Sequence, residues 1–216
     1  MSANRFGRLG LVVALLLCAT GPAAAQGTPG LSIRPFVMFT EQSFTAVDTF
    51  DAVFGKTYAP FFGGGVQVVV SDGFFVELTA SRFRQTGERA YLSGGQAFTL
   101  GIPLTATITP LEISAGYRFT LRQLPRVRPY AAAGFGSYSY QETSDFSLPG
   151  EDLDTRHSGF VVNGGAEFRV HTWIGLAVDV QYSQVKGILG TGGVSQQAGE
   201  SDLGGIAARV KVVVGR

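Results

Sequence analysis

From residue 31 onward the chain repeats one rhythm, in which apolar and polar side chains alternate, stop at a turn or a polar stretch, and start again. Eight such stretches predict eight strands, at 31–41, 61–71, 74–81, a fourth ending at 111–119, then 127–140, 160–169, 174–183 and 206–214. The sixth and seventh are the cleanest. Phe160, Val162, Gly164, Ala166 and Phe168 oppose Asn163, Gly165, Glu167 and Arg169, and Ile174, Leu176, Val178, Val180 and Tyr182 oppose Gly175, Ala177, Asp179, Gln181 and Ser183. In the third stretch the phase blurs at Arg82-Phe83-Arg84, where the strand is expected to leave its apolar surroundings. Pro110 in the fourth is expected to mark a bulge, because proline cannot donate to a ladder. Each stretch has roughly the 9–11 residues with which a tilted strand crosses a bilayer.

Period-two alternation does not say which face is wet, and the connections do. Three are short, at Asp72-Gly73, 121–126 and His171-Thr172; four are long, at 42–60, 85–104, 141–156 and 186–202. Strict alternation of short and long with an even strand count puts both termini and every short turn at one end, as in barrels with short periplasmic turns and long external loops. A soluble barrel has no reason to sort its loops this way. The predicted fold class is therefore all-β: an eight-stranded antiparallel up-and-down transmembrane β-barrel with short periplasmic turns and long extracellular loops. Phe74, Tyr117, Phe119, Phe168 and Trp173 gather near the short-turn end, where a membrane–water girdle of aromatics would sit; ordinary core aromatics are the other reading.

The first residues change the compartment. Arg5 and Arg8, an apolar run from Leu9 to Ala19, Gly21-Pro22 and then Ala23-Ala24-Ala25 predict a secretory signal peptide cut after Ala25, which leaves 26–216 as one barrel domain. The apolar run is shorter than the roughly 20 residues of a membrane-spanning helix. The single cysteine, Cys18, lies inside this segment, so the mature domain is expected to carry neither disulfide nor lipid anchor. Without Arg5 and Arg8, 15 basic residues stand against 16 acidic ones, a net charge of about −1 and no footprint for nucleic acid.

Gly116-Tyr117-Arg118-Phe119 closing one strand, Arg128-Pro129-Tyr130 with Gly134-Phe135-Gly136, Asn163-Gly164-Gly165-Ala166-Glu167-Phe168, and Gly204-Gly205 together resemble the small eight-stranded outer-membrane barrels of the OmpA/OmpX type. The resemblance covers most of residues 31–214 and speaks for fold more than for activity. It implies a bacterial outer-membrane location, contact with outer-membrane lipid and lipopolysaccharide, and the outer-membrane assembly machinery as a partner during biogenesis. One departure is the final segment Val212-Val213-Val214-Gly215-Arg216, where such barrels usually carry an aromatic residue that this machinery reads.

If apolar side chains face lipid, the charged residues of the strands face the lumen: Arg34, Glu77, Glu112, Arg118, Arg128, Glu167, Arg169, Asp179, Arg209 and Lys211. Six cations and four anions in a narrow interior are expected to organise into paired, hydrogen-bonded networks. Similar depth on neighbouring strands predicts an Asp179–Arg209 pair with Lys211 just below and Arg34 nearby. An eight-stranded barrel is only wide enough for its side chains to fill it, so a plugged monomeric anchor is expected rather than a pore.

No catalytic residues, cofactor or metal are predicted. His157 and Ser158 are adjacent on a strand and so point to opposite faces, and His171 beside Trp173 reads as an interfacial residue. The acidic stretch Glu142, Asp145, Glu151, Asp152 and Asp154 matches no calcium-loop spacing and reads as a solvated loop. The first long loop, with Phe44, Phe50, Phe54, Tyr58, Phe61 and Phe62, is unusually aromatic; it is expected to continue the barrel above the membrane, touch lipopolysaccharide or admit apolar molecules. The leading expectation is a non-enzymatic structural or adhesive surface barrel. A narrow channel for small apolar molecules, a lipid-modifying enzyme and a soluble lipocalin-like periplasmic carrier are the alternatives.

Overall fold

The computed structural model describes residues 31–70, 73–94, 96–144, 146 and 153–215; the predicted signal peptide lies outside them. Eight strands run β1 (Ser32–Phe44), β2 (Tyr58–Val69), β3 (Phe74–Ser93), β4 (Gln96–Arg118), β5 (Val127–Thr143), β6 (Leu153–His171), β7 (Ile174–Gln184) and β8 (Gly205–Val214). Each pairs antiparallel with the next, and β8 closes on β1 from Phe36↔Val213 to Phe44↔Gly205, so the sheet is a closed barrel without an edge. Among the described residues, no helix is long and apolar enough to cross a membrane.

The strands alternate as the sequence requires, and the apolar face is the outer one. Phe135 is 71% exposed and Phe62 66%, while Arg34, Asp179, Arg209 and Lys211 on the inner face are each 2% exposed. A soluble carrier would hide the first set and show the second, so that alternative falls. An apolar outer band around a polar interior is what a bilayer selects.

Four strands go well beyond that band. β3 has 20 residues, β4 23, β5 17 and β6 19, against 10–13 for the other four. The predicted loop 85–104 is thus largely strand, with β3 and β4 paired out to Ser93↔Gln96, and both ends of the predicted loop 141–156 are strand, with β5 and β6 paired out to Glu142↔Leu153. The periodicity persists there with its phase inverted. On β4 the outward side chains change from Tyr117, Ala115, Ile113 and Leu111 to Thr109, Thr107 and Thr105, while the inward ones change from Arg118, Gly116, Ser114 and Glu112 to Pro110, Ile108, Ala106 and Leu104. β3 turns over at the same level: outward Phe74, Val76, Leu78 and Ala80 give way to Arg82 and Arg84, and inward Glu77 and Thr79 give way to Phe83. At this level the outer face of β3 and β4 carries polar side chains and the inner face, at Phe83, Leu104, Ala106 and Ile108, the apolar load. The blur at Arg82-Phe83-Arg84 is this inversion.

Pro110 makes no bulge. The β3–β4 ladder lapses opposite it and resumes in the same register, from Ala80↔Leu111 to Phe83↔Ile108, and the register shift lies farther out, between Glu88 and Ala90. Proline removes one donor, and a ladder that skips that position needs no extra residue. The first long connection also departs from expectation: it folds as helix α1 (Val47–Phe54) and turns Phe44, Phe50 and Phe61 inward. The fourth contains the short helix α2 (Gly193–Ala198).

Candidate functional site: a sealed lumen and an external head

The lumen is filled in layers, starting at the short-turn end. Arg34 on β1 faces Gln67 on β2 by register, and its Nη1 donates to Gln67 Oε1 and Glu167 Oε2, both at 2.9 Å. Its Nη2 reaches the other Glu167 oxygen, so the contact is a two-pronged fork. Arg118 Nη2 donates to the same carboxylate at 3.0 Å. Gln67 passes the network on, its Nε2 donating to Glu77 Oε2 at 3.1 Å.

Lys211 then bridges two carboxylates, with Nζ 2.6 Å from Glu77 Oε1 and 3.3 Å from Asp179 Oδ2. Asp179 and Arg209 are direct partners in the β7–β8 register, and Arg209 Nε lies 2.5 Å from Asp179 Oδ1. Arg209 also donates to Gln181, whose Nε2 donates to Glu112 Oε1 at 3.1 Å. Tyr138 donates its hydroxyl to Glu112 at 2.6 Å, and Tyr130 donates to Asp179. Four cations (Arg34, Arg118, Arg209, Lys211) and four carboxylates (Glu77, Glu112, Glu167, Asp179) thus form one charge-balanced network. Charge balance and shared hydrogen bonds make buried charge tolerable, since either partner alone would carry a large desolvation penalty.

Aromatic rings fill the space beside these groups. Lys211 Nζ lies 5.0 Å from the Phe36 ring centre and 5.8 Å from that of Tyr130. Glycines admit both the neighbouring strand and the rings: a Cβ at Gly65 would collide with Leu78 O and sit 2.8 Å from Phe36 Cζ, and one at Gly116 would collide with Ala131 O and sit 2.7 Å from Phe75 Cζ.

Two expectations about the charges are corrected. Arg34 joins Glu167 and Gln67 rather than the Asp179–Arg209 pair, because the register sets Arg209 opposite Thr40, six residues along β1 from Arg34. Arg128 and Arg169 face inward but stay half-buried at the mouth, outside the ion pairs formed among the described residues. Sequence reasoning also missed Gln67, Gln181, Tyr130 and Tyr138, whose inward phase was readable but whose polar ends were not weighed.

On the outer face, Phe74 and Tyr117 meet edge to face with ring centres 4.9 Å apart, Tyr117 and Phe119 at 5.0 Å, and Phe168 and Trp173 are exposed at the same end. A second set went unread at the opposite rim of the apolar band: Phe39 against Phe62 at 5.2 Å, Phe160 against Tyr182 at 5.9 Å, and exposed Phe135. Cross-strand pairing brings Phe39 to Phe62 and Phe74 to Tyr117, whereas Tyr117 and Phe119 meet along one chain segment.

Above the ion network the inner face becomes an apolar plug. Phe44 and Phe50 stack with ring centres 3.7 Å apart, and Phe61, Phe83, Ile108, Val161, Val185, Ile188 and Leu203 pack around them. The connections holding this plug are tied to one another. Glu200 accepts hydrogen bonds from Asp48 N at 3.0 Å, Thr49 N at 2.8 Å and Thr49 Oγ1 at 2.6 Å, and so caps α1 from a distant loop. Asp202 Oδ1 accepts from Val185 N and Gly204 N, each at 2.8 Å, while Leu92 N on β3 donates to Gln197 Oε1 of α2 at 2.6 Å. Between α1, the outer parts of β3 to β5 and the α2 loop lies a cavity of about 390 Å³, walled by Leu100, Leu104, Leu153, Leu189 and Val194 with Arg89, Tyr140 and Glu142.

His157 is inward and Ser158 outward, so these neighbours do not meet. Glu142 accepts the Tyr140 hydroxyl and Asp154 accepts from Gln141 Nε2 at 3.1 Å, whereas Asp145, Glu151 and Asp152 lie outside the described residues. Among the described residues no group of three His, Cys, Asp or Glu side chains is placed to hold a metal.

Residues 11–210 match the family model described as outer membrane protein beta-barrel domain. Among solved structures the chain is similar to OprG of Pseudomonas aeruginosa, with TM-score 0.53 and 11% identity over 87% of this chain and 96% of that one. It is also similar to the N-terminal barrel domain of Pseudomonas aeruginosa OprF, with TM-score 0.50 and 12% identity over 86% and 97%, and to Neisserial surface protein A, with 0.50 and 14% over 88% and 98%. At these identities the likeness is one of fold. No curated protein matches the chain in sequence.

Proposed function

The chain belongs to the outer membrane protein beta-barrel domain family, and from that premise we propose that it is a sealed, non-enzymatic anchor presenting a folded external head for contact at the cell surface. The observation that carries this reading is the phase inversion: below it the lumen is filled by ion pairs, and above it four strands leave the apolar band to hold an apolar plug and two helices. A pore would keep water-lined space through both levels. A passive span would not need strands about twice the length of a crossing.

In this role the lumen supplies rigidity and the head supplies the working surface. Outer-membrane lipid surrounds the band, with Arg82 and Arg84 facing outward just above Leu78 and Ala80, at the level of the outer-leaflet headgroups and their phosphates. The cavity in the head favours one second reading, capture of a small apolar molecule at the surface; the Phe44–Phe50 stack beneath it blocks onward passage through the lumen.

The test is to trim the head and leave the barrel. Replacing residues 86–105 by a tight turn is expected to preserve insertion and heat-modifiable migration while abolishing complementation of a deletion strain in adhesion and envelope-integrity assays. Full complementation by the trimmed barrel would refute the reading.

A further inference from the structure

The six lumenal cations and four lumenal carboxylates are unevenly distributed. Arg34 and Arg118 share Glu167, and Glu167 is the only carboxylate among the described residues that either of them contacts. Arg128 lies directly across the β5–β6 register from Glu167, and Arg169 is two residues farther along the same inner face of β6. Four arginines therefore gather at the short-turn mouth near one carboxylate, and two of them, Arg34 and Arg118, contact it directly. Arg122 and Arg126 add two exposed cations on the adjoining turn, whereas Asp72 of the facing turn lies outside the described residues.

This excess cannot titrate away, because arginine keeps its proton at any physiological pH. A second observation bears on the place: among the described residues, Nε of Arg34 and Nε of Arg118 are buried without a hydrogen-bond partner, on residues 2% and 5% exposed, as is Nη2 of Arg209 in the core. Buried donors without acceptors and an excess of positive charge at the mouth are both relieved by one ligand class. We propose that the periplasmic mouth of the barrel binds a phosphate-class oxyanion on Arg118, Arg128 and Arg169, with Arg34 and Glu167 fixing the floor of the site. Planar guanidinium forks match tetrahedral oxyanions in paired contacts, which a cluster of lysines would not provide. The side chains face the lumen, so a free oxyanion reaches them from the periplasmic water; a phospholipid headgroup of the inner leaflet offers the same chemistry around the rim.

The folded protein in phosphatidylcholine nanodiscs, titrated with inorganic phosphate at constant ionic strength, tests this. Binding is read by phosphorus NMR line broadening and by fluorescence of Trp173, the only tryptophan in the chain, beside this mouth. Saturable binding is expected, weakened at least about tenfold in Arg128→Gln/Arg169→Gln, which removes no ion pair of the lumen, and unchanged in Arg82→Gln/Arg84→Gln at the other end. Arg169→Gln alone, at the rim, provides the same comparison if the double variant folds poorly. Phosphatidylglycerol in the disc separates the sources: a higher phosphate requirement identifies a headgroup competing for the same arginines, and no change identifies a free oxyanion. Absence of saturable binding, or equal affinity in the arginine variants, would overturn the proposal.

Discussion

At the scale of single residues, the lumen works through satisfaction rather than through charge as such. Asp179 receives Arg209, Lys211 and the Tyr130 hydroxyl, and its side chain is fully enclosed. Removing it leaves two buried cations without their shared partner, so Asp179→Ala is expected to destabilise the barrel by about 3–5 kcal/mol. Asp154→Asn, on the outer surface, is expected to stay within about 0.5 kcal/mol. Urea unfolding from lipid vesicles, followed by the heat-modifiable band, measures both; equal midpoints would contradict the network. The Asp179–Arg209 pairing was legible because both residues sit on clean alternations in adjacent strands. The Arg34–Glu167 contact was not, because it crosses the lumen between β1 and β6, and no local pattern reports which side chains meet across a barrel.

At the scale of elements, the sequence spoke clearly wherever one face met lipid and the other a polar lumen. It became silent where the environments exchanged. Thr105, Thr107 and Thr109 outside with Leu104, Ala106 and Ile108 inside still alternate, but against the phase set by Leu111 and Ile113, and a reader following that phase sees a loop. Backbone amides of 83–93 and 96–108 are accordingly expected to show the slow hydrogen exchange of ladder positions, and random-coil exchange rates there would contradict the extension of β3 and β4. α1 was missed for a different reason: Ala46 at its N-terminus offers no capping side chain, and the cap comes from Glu200. Glu200→Ala is expected to weaken α1 by about 1–2 kcal/mol, seen as faster exchange at Asp48 and Thr49 with the barrel's gel shift unchanged. Unaltered exchange would mean that packing of Phe50 alone holds the helix.

At the scale of the whole molecule, three zones follow one another along the barrel axis: an arginine-rich mouth, a neutral ion-pair core and an apolar plug inside a projecting head. The loop-length alternation pointed to charges inside the barrel, since it fixed which face was wet, but it did not separate an arginine-rich mouth from the paired core. The plug and the head arise from contacts between segments about 150 residues apart, such as Glu200 with Thr49, which only the closed fold brings together. In the proposed anchor, sealing at two levels by different chemistry would make closure robust, because loss of either layer leaves the other in place. Ion conductance in planar bilayers tests that claim most directly. Folded wild-type protein, and a Phe44→Ala/Phe50→Ala variant in which only the plug is loosened, are both predicted to insert and remain silent under applied voltage. Discrete, steady conductance steps from the wild-type protein would contradict the sealed lumen.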